Sequence, residues 1–286
     1  MNFLLSYIVL AEIFCIIALS TNLMMGIVGI FSVAQAAIMG IGAYTFAILL
    51  MNDVGFLWAI LAAAFVSGLI NLISALPSLR LAGDYFVITS FGMQLVATAV
   101  FMNWNAVTGG AAGLFGIPIA EIAGYSFITS AQFLILSTIA IVLVSIGYWL
   151  LMRAPYGKLL HAVRLDELAV VASGRHVLRL KLSVSAVSGI FAGISGALYA
   201  AYISFIDPSS FDMHVSILVI TMVVVGGART LAGSIIGPFL LLAIPQVLAL
   251  IDIPSALAGP GRQMVYGLIL IAFMMWRPQG IAGKSL

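Results

Sequence analysis

Between Leu4 and Trp276 the chain falls into a succession of apolar runs, several reaching the roughly 20 residues that a helix needs to cross a hydrocarbon core of about 30 Å. Inside a bilayer every backbone amide must find its partner within the protein, so only helices and closed barrels span it. A barrel would show short alternating strands in place of these runs. The chain is 64% apolar and 7% charged, with a mean hydropathy of +1.25, far from the composition of soluble domains. The bilayer is its expected solvent, and the expected fold class is all-α: a polytopic α-helical membrane protein.

Gly, Pro and charged punctuation divides the runs into spans at Leu4–Leu23, Ser32–Met51, Leu57–Leu76, Tyr85–Met102, Gln132–Met152, Leu182–Ile203, Val215–Ala228, Ile235–Ile251 and Met264–Trp276. That reading gives about nine transmembrane helices, and eight to ten fit the same boundaries. The uncertain stretch is Thr21–Ala36, where Gly26 and Gly29 either break a helix or mark a re-entrant segment. The segment Met1–Tyr7 has no basic residue ahead of its apolar run and no cleavage site, so the first span is read as retained.

Six of the eleven basic residues lie between Arg153 and Lys181. The positive-inside rule makes that block cytoplasmic. Alternating outward from it puts Arg80, Arg229, Arg277 and Lys284 inside and only Arg262 outside, so ten of the eleven agree. Met1 then lies outside and the last residues inside. A formal net charge of +2 gives no reason to expect a nucleic-acid partner.

No catalytic constellation is present: no GxxxxGK[ST], no HExxH, no GxSxG. Gly40 and Gly42 form a GxG pair inside an apolar span, which reads as helix packing. The lone cysteine, Cys15, permits no internal disulfide, and no Cys or His cluster suggests a metal site. Neither a catalytic nor a cofactor-binding residue is expected in this chain.

Three sets of residues carry the remaining information. Ala186, Gly189, Gly193, Gly196 and Ala200 recur at three- and four-residue spacing, so they share one helix face, either a helix–helix seam or a wall of a solute path. Glu12 is the one ionisable group near the middle of a span. It either contacts an ammonium group or a subunit interface, or is a paired or protonated carboxyl between helices. In the basic loop, Asp166 is placed to cap a short helix through Glu167, Leu168, Ala169, Val171 and Ala172, and Gly174 to end it. Leu168, Val171 and Ala172 share a face suited to docking a soluble protein or to resting on lipid headgroups. Arg164 and Glu167 are expected to make polar contacts around that face. The glycine-rich stretch Asn103–Tyr125 is the second candidate partner surface, on the opposite side.

Several blocks resemble one family in their order and spacing. They are Asn22-Leu23-Met24-Met25-Gly26, Gly40-Ile41-Gly42-Ala43-Tyr44, Gly83-Asp84-Tyr85-Phe86, Thr108-Gly109-Gly110 with Gly113 and Gly116-Ile117-Pro118, Asp166-Glu167-Leu168-Ala169 with Gly174 and Lys181, Gly193 with Gly196-Ala197-Leu198-Tyr199, and Gly226-Gly227 with Gly233 and Gly237-Pro238. The chain is similar over most of its length to the permease subunits of branched-chain amino acid ABC importers, the LivM kind. Ala34-Gln35 stand where that family often has Gly-His, and Arg175-His176 follow Gly174 where Ile or Val with Asn is more usual.

The resemblance implies a single permease domain over residues 1–286 in a bacterial cytoplasmic membrane, with a coupling loop at 153–181. It implies a second homologous permease subunit, two cytoplasmic ATPase subunits that bind ATP and magnesium, and an extracytoplasmic substrate-binding protein. Arg164, Asp166, Glu167, Leu168, Val171, Ala172 and Gly174 correspond to the ATPase-coupling segment. Asn22, Gln35 and Tyr44, uncharged hydrogen-bonding groups in the glycine-rich early segment, are the candidate solute-path residues. Amino acids, urea, short amides and aromatic carboxylates all remain open as substrates. A self-sufficient secondary transporter is the competing class, and it would need broken helices in two related halves with ion-binding acids at the midplane.

Overall fold

A computed structural model describes residues 2–78, 85–122, 125–127, 129–249, 267–268, 271, 275 and 280–283. Its helices are α1 (Asn2–Thr21), α2 (Gln35–Met51), α3 (Phe56–Ser78), α4 (Tyr85–Asn103), α5 (Asn105–Thr108), α6 (Ser130–Arg153), α7 (Pro155–Leu165), α8 (Glu167–Ala172), α9 (Val177–Ile203), α10 (Met213–Gly226) and α11 (Leu231–Ala249). Two-residue strands β1 (Leu114–Phe115) and β4 (Phe205–Ile206) pair antiparallel, as do β2 (Glu121–Ile122) and β3 (Tyr125–Ser126). Among the described residues six helical segments are long and apolar enough to cross a membrane, and Gln35–Met51 and Leu231–Ala243 are shorter apolar helices. The expected spans Leu4–Leu23 through Ile235–Ile251 each find a helix, although the last lies within the described residues only to Ala249. Met264–Trp276, Arg80, Gly83, Asp84 and Arg262 fall outside the described residues or on single points of them, so the count of nine is not established.

Three local features refine the sequence reading, and the break at Gly29 is one that it left open. The first span continues past Leu23 as a π-helix, Asn22–Val28, and breaks at Gly29, whose φ of 82° is open to glycine without a Cβ clash. Residues 30–34 then run without regular structure into α2. The basic loop contains a second helix, α7, which starts at Pro155 in the first helical position, where its missing N–H costs nothing. Finally, α9 begins at Val177 rather than Leu182, so Arg179 and Lys181 lie in its first turns.

The helices pack in two arrangements that follow the same path. A long helix (α1 or α9) leads through an irregular passage to a shorter one (α2 or α10), then through a tight turn to α3 or α11. The packing repeats as well: α9 lies chiefly against α3 and α2, and α1 against α11, α6, α9 and α10. The sequence reading did not detect this parallel in element order and helix packing.

The glycine face of α9 lies at the closest approaches of this repeat. A Cβ on Gly189 would lie 2.6 Å from the Ser67 carbonyl oxygen, and one on Gly193 2.7 Å from that of Ala63. Across the same helix, a Cβ on Gly42 would lie 2.5 Å from the Gly193 Cα, and one on Gly196 would overlap the Met39 carbonyl oxygen. The Ala186 carbonyl oxygen faces Gly68, and Ala200 is fully buried. Lipid removes the hydrophobic drive for helices to associate, so such close backbone packing becomes the main source of attraction.

Candidate solute path and coupling surface

A helix that begins inside the bundle has amide groups with no intrahelical partner, and no water to take them. At the start of α2 three side chains from other helices fill that role. Ser90 Oγ accepts from the Val33 amide (3.1 Å), Ser216 Oγ from Ala36 (3.0 Å) and Gln94 Oε1 from Ala37 (3.0 Å). The Gln94 amide in turn donates to the Phe211 carbonyl at 2.8 Å, and Asp212 caps α10 by accepting from the Val215 amide. The first turns of α2 and α10 therefore meet within the protein, pinned from α4. Gln94 is the one amide side chain within Tyr85–Met102, a signal the sequence reading passed over.

Of the candidate path residues, Asn22 and Gln35 have their hydrogen-bonding capacity consumed. Asn22 is fully buried and shares its two amide hydrogens among Ser234 Oγ (2.8 Å), the Thr230 carbonyl (3.1 Å) and the Tyr148 hydroxyl (3.3 Å). Its Oδ1 accepts from the Arg229 amide at 2.8 Å. A Cβ on Gly26 would collide with that same oxygen, so the Asn22–Gly26 pairing has a steric origin. Gln35 donates to Ser188 Oγ (3.2 Å) and the Met24 sulfur (3.1 Å), and accepts from Ser20 Oγ (3.2 Å). Both residues fasten helices together.

Tyr44 differs. It is 3% exposed, and its hydroxyl has no hydrogen-bond partner. The ring sits among Phe101 (centroids 4.8 Å apart) and Phe211 (6.1 Å), and Phe211 in turn meets Tyr199 edge-on. A buried unpaired hydroxyl costs about 1–3 kcal/mol, so one that persists is a candidate for a passing polar group. Tyr44→Phe should leave the melting temperature in detergent unchanged or slightly raised, and lower uptake several-fold. Unchanged uptake would remove Tyr44 from the path.

Glu12 bridges α1 and α6: Ser137 Oγ donates to Oε2 at 2.5 Å and Thr138 Oγ1 to Oε1 at 2.9 Å. Of the readings left open for it, a carboxyl held between helices matches this geometry.

At the end of the bundle that carries the basic loop, Asp166 accepts from the Ala169 amide at 3.1 Å and so caps α8. Gly174, at φ 78°, lets its amide reach the Val171 carbonyl (2.9 Å) and that of Arg175 reach Val170 (3.3 Å), which closes the helix. Val170 is buried, whereas Leu168 is 81% and Val171 55% exposed, with Ala172 exposed beside them. Glu167 pairs with Lys181 at the foot of α9. Arg164 does not flank this face. It turns inward and donates to the Gly26 carbonyl and, at 3.3 Å, to that of Met25. Those carbonyls belong to the negative end of the first long helix, where a cation is favoured. Burial, then the nearby Arg229, push the Arg164 guanidinium below its ordinary pKa.

Broken helices pinned within a bundle, a buried hydroxyl left over, and an exposed apolar helix tied to the first span define a helical membrane transport subunit. Residues 3–274 match the family described as branched-chain amino acid transport system / permease component. The chain is 29% identical over 293 residues to the high-affinity branched-chain amino acid transport system permease protein LivM of Salmonella typhimurium, covering 94% of this chain and 67% of the relative. It is 28% identical to the protein of that name in Escherichia coli (95% and 68% covered) and 25% identical to the probable branched-chain amino acid transport permease protein LivM of Methanocaldococcus jannaschii (87% and 71%). No solved structure gives a significant match. The chain belongs to this permease-component family.

Proposed function

We propose that the chain forms half of the solute path of an ATP-binding cassette importer for branched-chain or other small amino acids, in a bacterial cytoplasmic membrane with the basic loop inside. Family membership and the names of the LivM relatives support the substrate class. The observation that carries the coupling role is α8: a capped helix with Leu168 and Val171 exposed, connected through α7 and Arg164 to the carbonyl end of the first span. ATPase subunits that dock on α8 move α7 with it, and Arg164 passes that displacement to the π-helical segment. ATP and magnesium belong to those partners, a second homologous permease subunit completes the path, and an extracytoplasmic binding protein delivers the solute. Broken helices in two similar arrangements are also a sign of secondary transporters. Here the intramembrane acid, Glu12, is bound to two hydroxyls on α6 and stands apart from the broken segments.

A Leu168→Asp, Val171→Asp double variant should reach the membrane with normal stability and lose ATPase association and uptake by at least ten-fold, since two carboxylates cannot be buried unpaired in a docked interface. Reconstitution with the ATPase subunits measures both. Retained association would sink the assignment of α8.

A further inference from the structure

A cavity of about 460 Å³ opens where α6, α7 and the turn before α11 meet, lined by Ile27, Tyr148, Trp149, Met152, His161, Arg229, Thr230 and Leu231. The lining described holds two nitrogen bases, Arg229 and His161, with the Tyr148 phenol and no carboxylate. Arg164 stands close enough to both to act on them. Burial first, then Arg229 and Arg164, push the His161 imidazole below its ordinary range. The nearest acidic neighbours on α8 are engaged elsewhere, Asp166 on the Ala169 amide and Glu167 on Lys181. The positive end of α11 adds to the same field.

Arg229 also holds an unusual backbone conformation. Its φ of 74° is one that glycine adopts freely and arginine does not. The conformation is imposed by the Asn22 oxygen, which fixes the Arg229 amide. Keeping a long cationic side chain at a place that favours glycine points to a use for the guanidinium.

The second observation is what adjoins this cavity. A groove of about 720 Å³ runs along α6 and α11, lined by Ile141, Val142, Ile146, Ile235 and Phe239 among others. It shares Trp149 and Leu231 with the basic cavity. Glu12 lies on its wall with both carboxyl oxygens turned to Ser137 and Thr138. Arg153 stacks 4.1 Å over the Trp149 ring, an arrangement suited to headgroup depth.

A cavity whose described lining is basic and holds no carboxylate, opening into an apolar groove, has the two-part chemistry of an amphiphile with an anionic head. We propose that this cavity and groove bind one anionic phospholipid of the cytoplasmic leaflet, its phosphate on Arg229 and His161 and its acyl chains along α6 and α11. The leaflet rests on the orientation proposed above; the binding chemistry does not. A homologous subunit would bring its own basic end to the same place, and like charges oppose that occupant.

The test uses the purified, delipidated chain in neutral detergent, with melting temperature and native mass spectrometry as readouts. Phosphatidylglycerol should raise the melting temperature of the wild type and remain bound, while phosphatidylcholine and inorganic phosphate should not. Arg229→Gly relaxes the backbone, so it should melt no lower than wild type without lipid and yet lose at least ten-fold in phosphatidylglycerol affinity. Ser145→Trp, which fills the groove, should lose the lipid too. Equal protection by inorganic phosphate, or undiminished lipid binding by Arg229→Gly, overturns the proposal. So does release of the lipid when the second permease subunit is added, which would mark the groove as a subunit seam. External labelling of Lys158→Cys in intact cells reads the orientation separately.

Discussion

Gly196→Ala should lower the stability of the purified protein by about 1–3 kcal/mol, while Gly92→Ala should raise it by about 0.5–1 kcal/mol. The two substitutions are chemically identical, and both fall inside membrane-spanning helices. At Gly196 the new methyl would overlap the Met39 carbonyl oxygen and lie 2.8 Å from the Ala43 amide nitrogen, all backbone of α2. Backbone cannot step aside as a flexible side chain can, so α9 and α2 must separate and lose their dispersion contacts along the whole seam. At Gly92 a Cβ would meet nothing within 4 Å, and alanine simply restricts the chain in a helix it already prefers. Thermal unfolding in detergent, followed by intrinsic fluorescence, measures both. A Gly196→Ala variant as stable as wild type would show that α9 and α2 are not held at this distance.

Asn22→Leu should cost about 2–3 kcal/mol, more than its change in volume warrants. The substitution keeps the shape but strands the Arg229 amide, worth about 1–3 kcal/mol when buried without a partner, and takes one donor from the Thr230 carbonyl, which keeps the Ser234 amide and hydroxyl. It also leaves the Tyr148 and Ser234 hydroxyls with one contact fewer. Because these groups meet at one side chain, their effects cannot add independently. Asn22→Leu combined with Ser234→Ala should be less damaging than the sum of the single variants by about 0.5–3 kcal/mol. A strictly additive cycle would mean that Asn22 is not the hub of this network. A variant that remains folded but fails to transport would favour the solute-path role for Asn22.

Much of the fold is legible in the residues taken alone. Apolar runs of helix-spanning length leave few alternatives in a bilayer, which is why each of the first eight expected spans meets a helix in the described residues. Local chemistry was similarly sufficient in the basic loop. Asp166, the apolar residues after it and Gly174 specify a capped helix through contacts no more than five residues apart. The order of the glycine-rich blocks carried the family resemblance for a related reason: close backbone approach admits few residue types, so those positions remain recognisable.

Tertiary structure decided what depends on residues distant in sequence. A polar side chain in an apolar run shows only that it needs a partner, and the partners of Asn22 lie 126 to 212 positions away. The sequence offered it as a solute-path candidate, and the fold shows where its hydrogen bonds go. Arg164 was read as part of a docking rim because it neighbours that helix in the chain, but its length lets it reach the end of another span. The roles of Ser90, Gln94 and Ser216 follow from where α2 happens to begin, inside the bundle, and no local pattern announces that. The same limit applies to Tyr44: its identity was visible from the start, but only the packing of Phe101 and Phe211 around it shows a hydroxyl left without a partner. Solvation fixed which segments are helices; the need to satisfy each buried polar group across the bundle fixed what those helices can do.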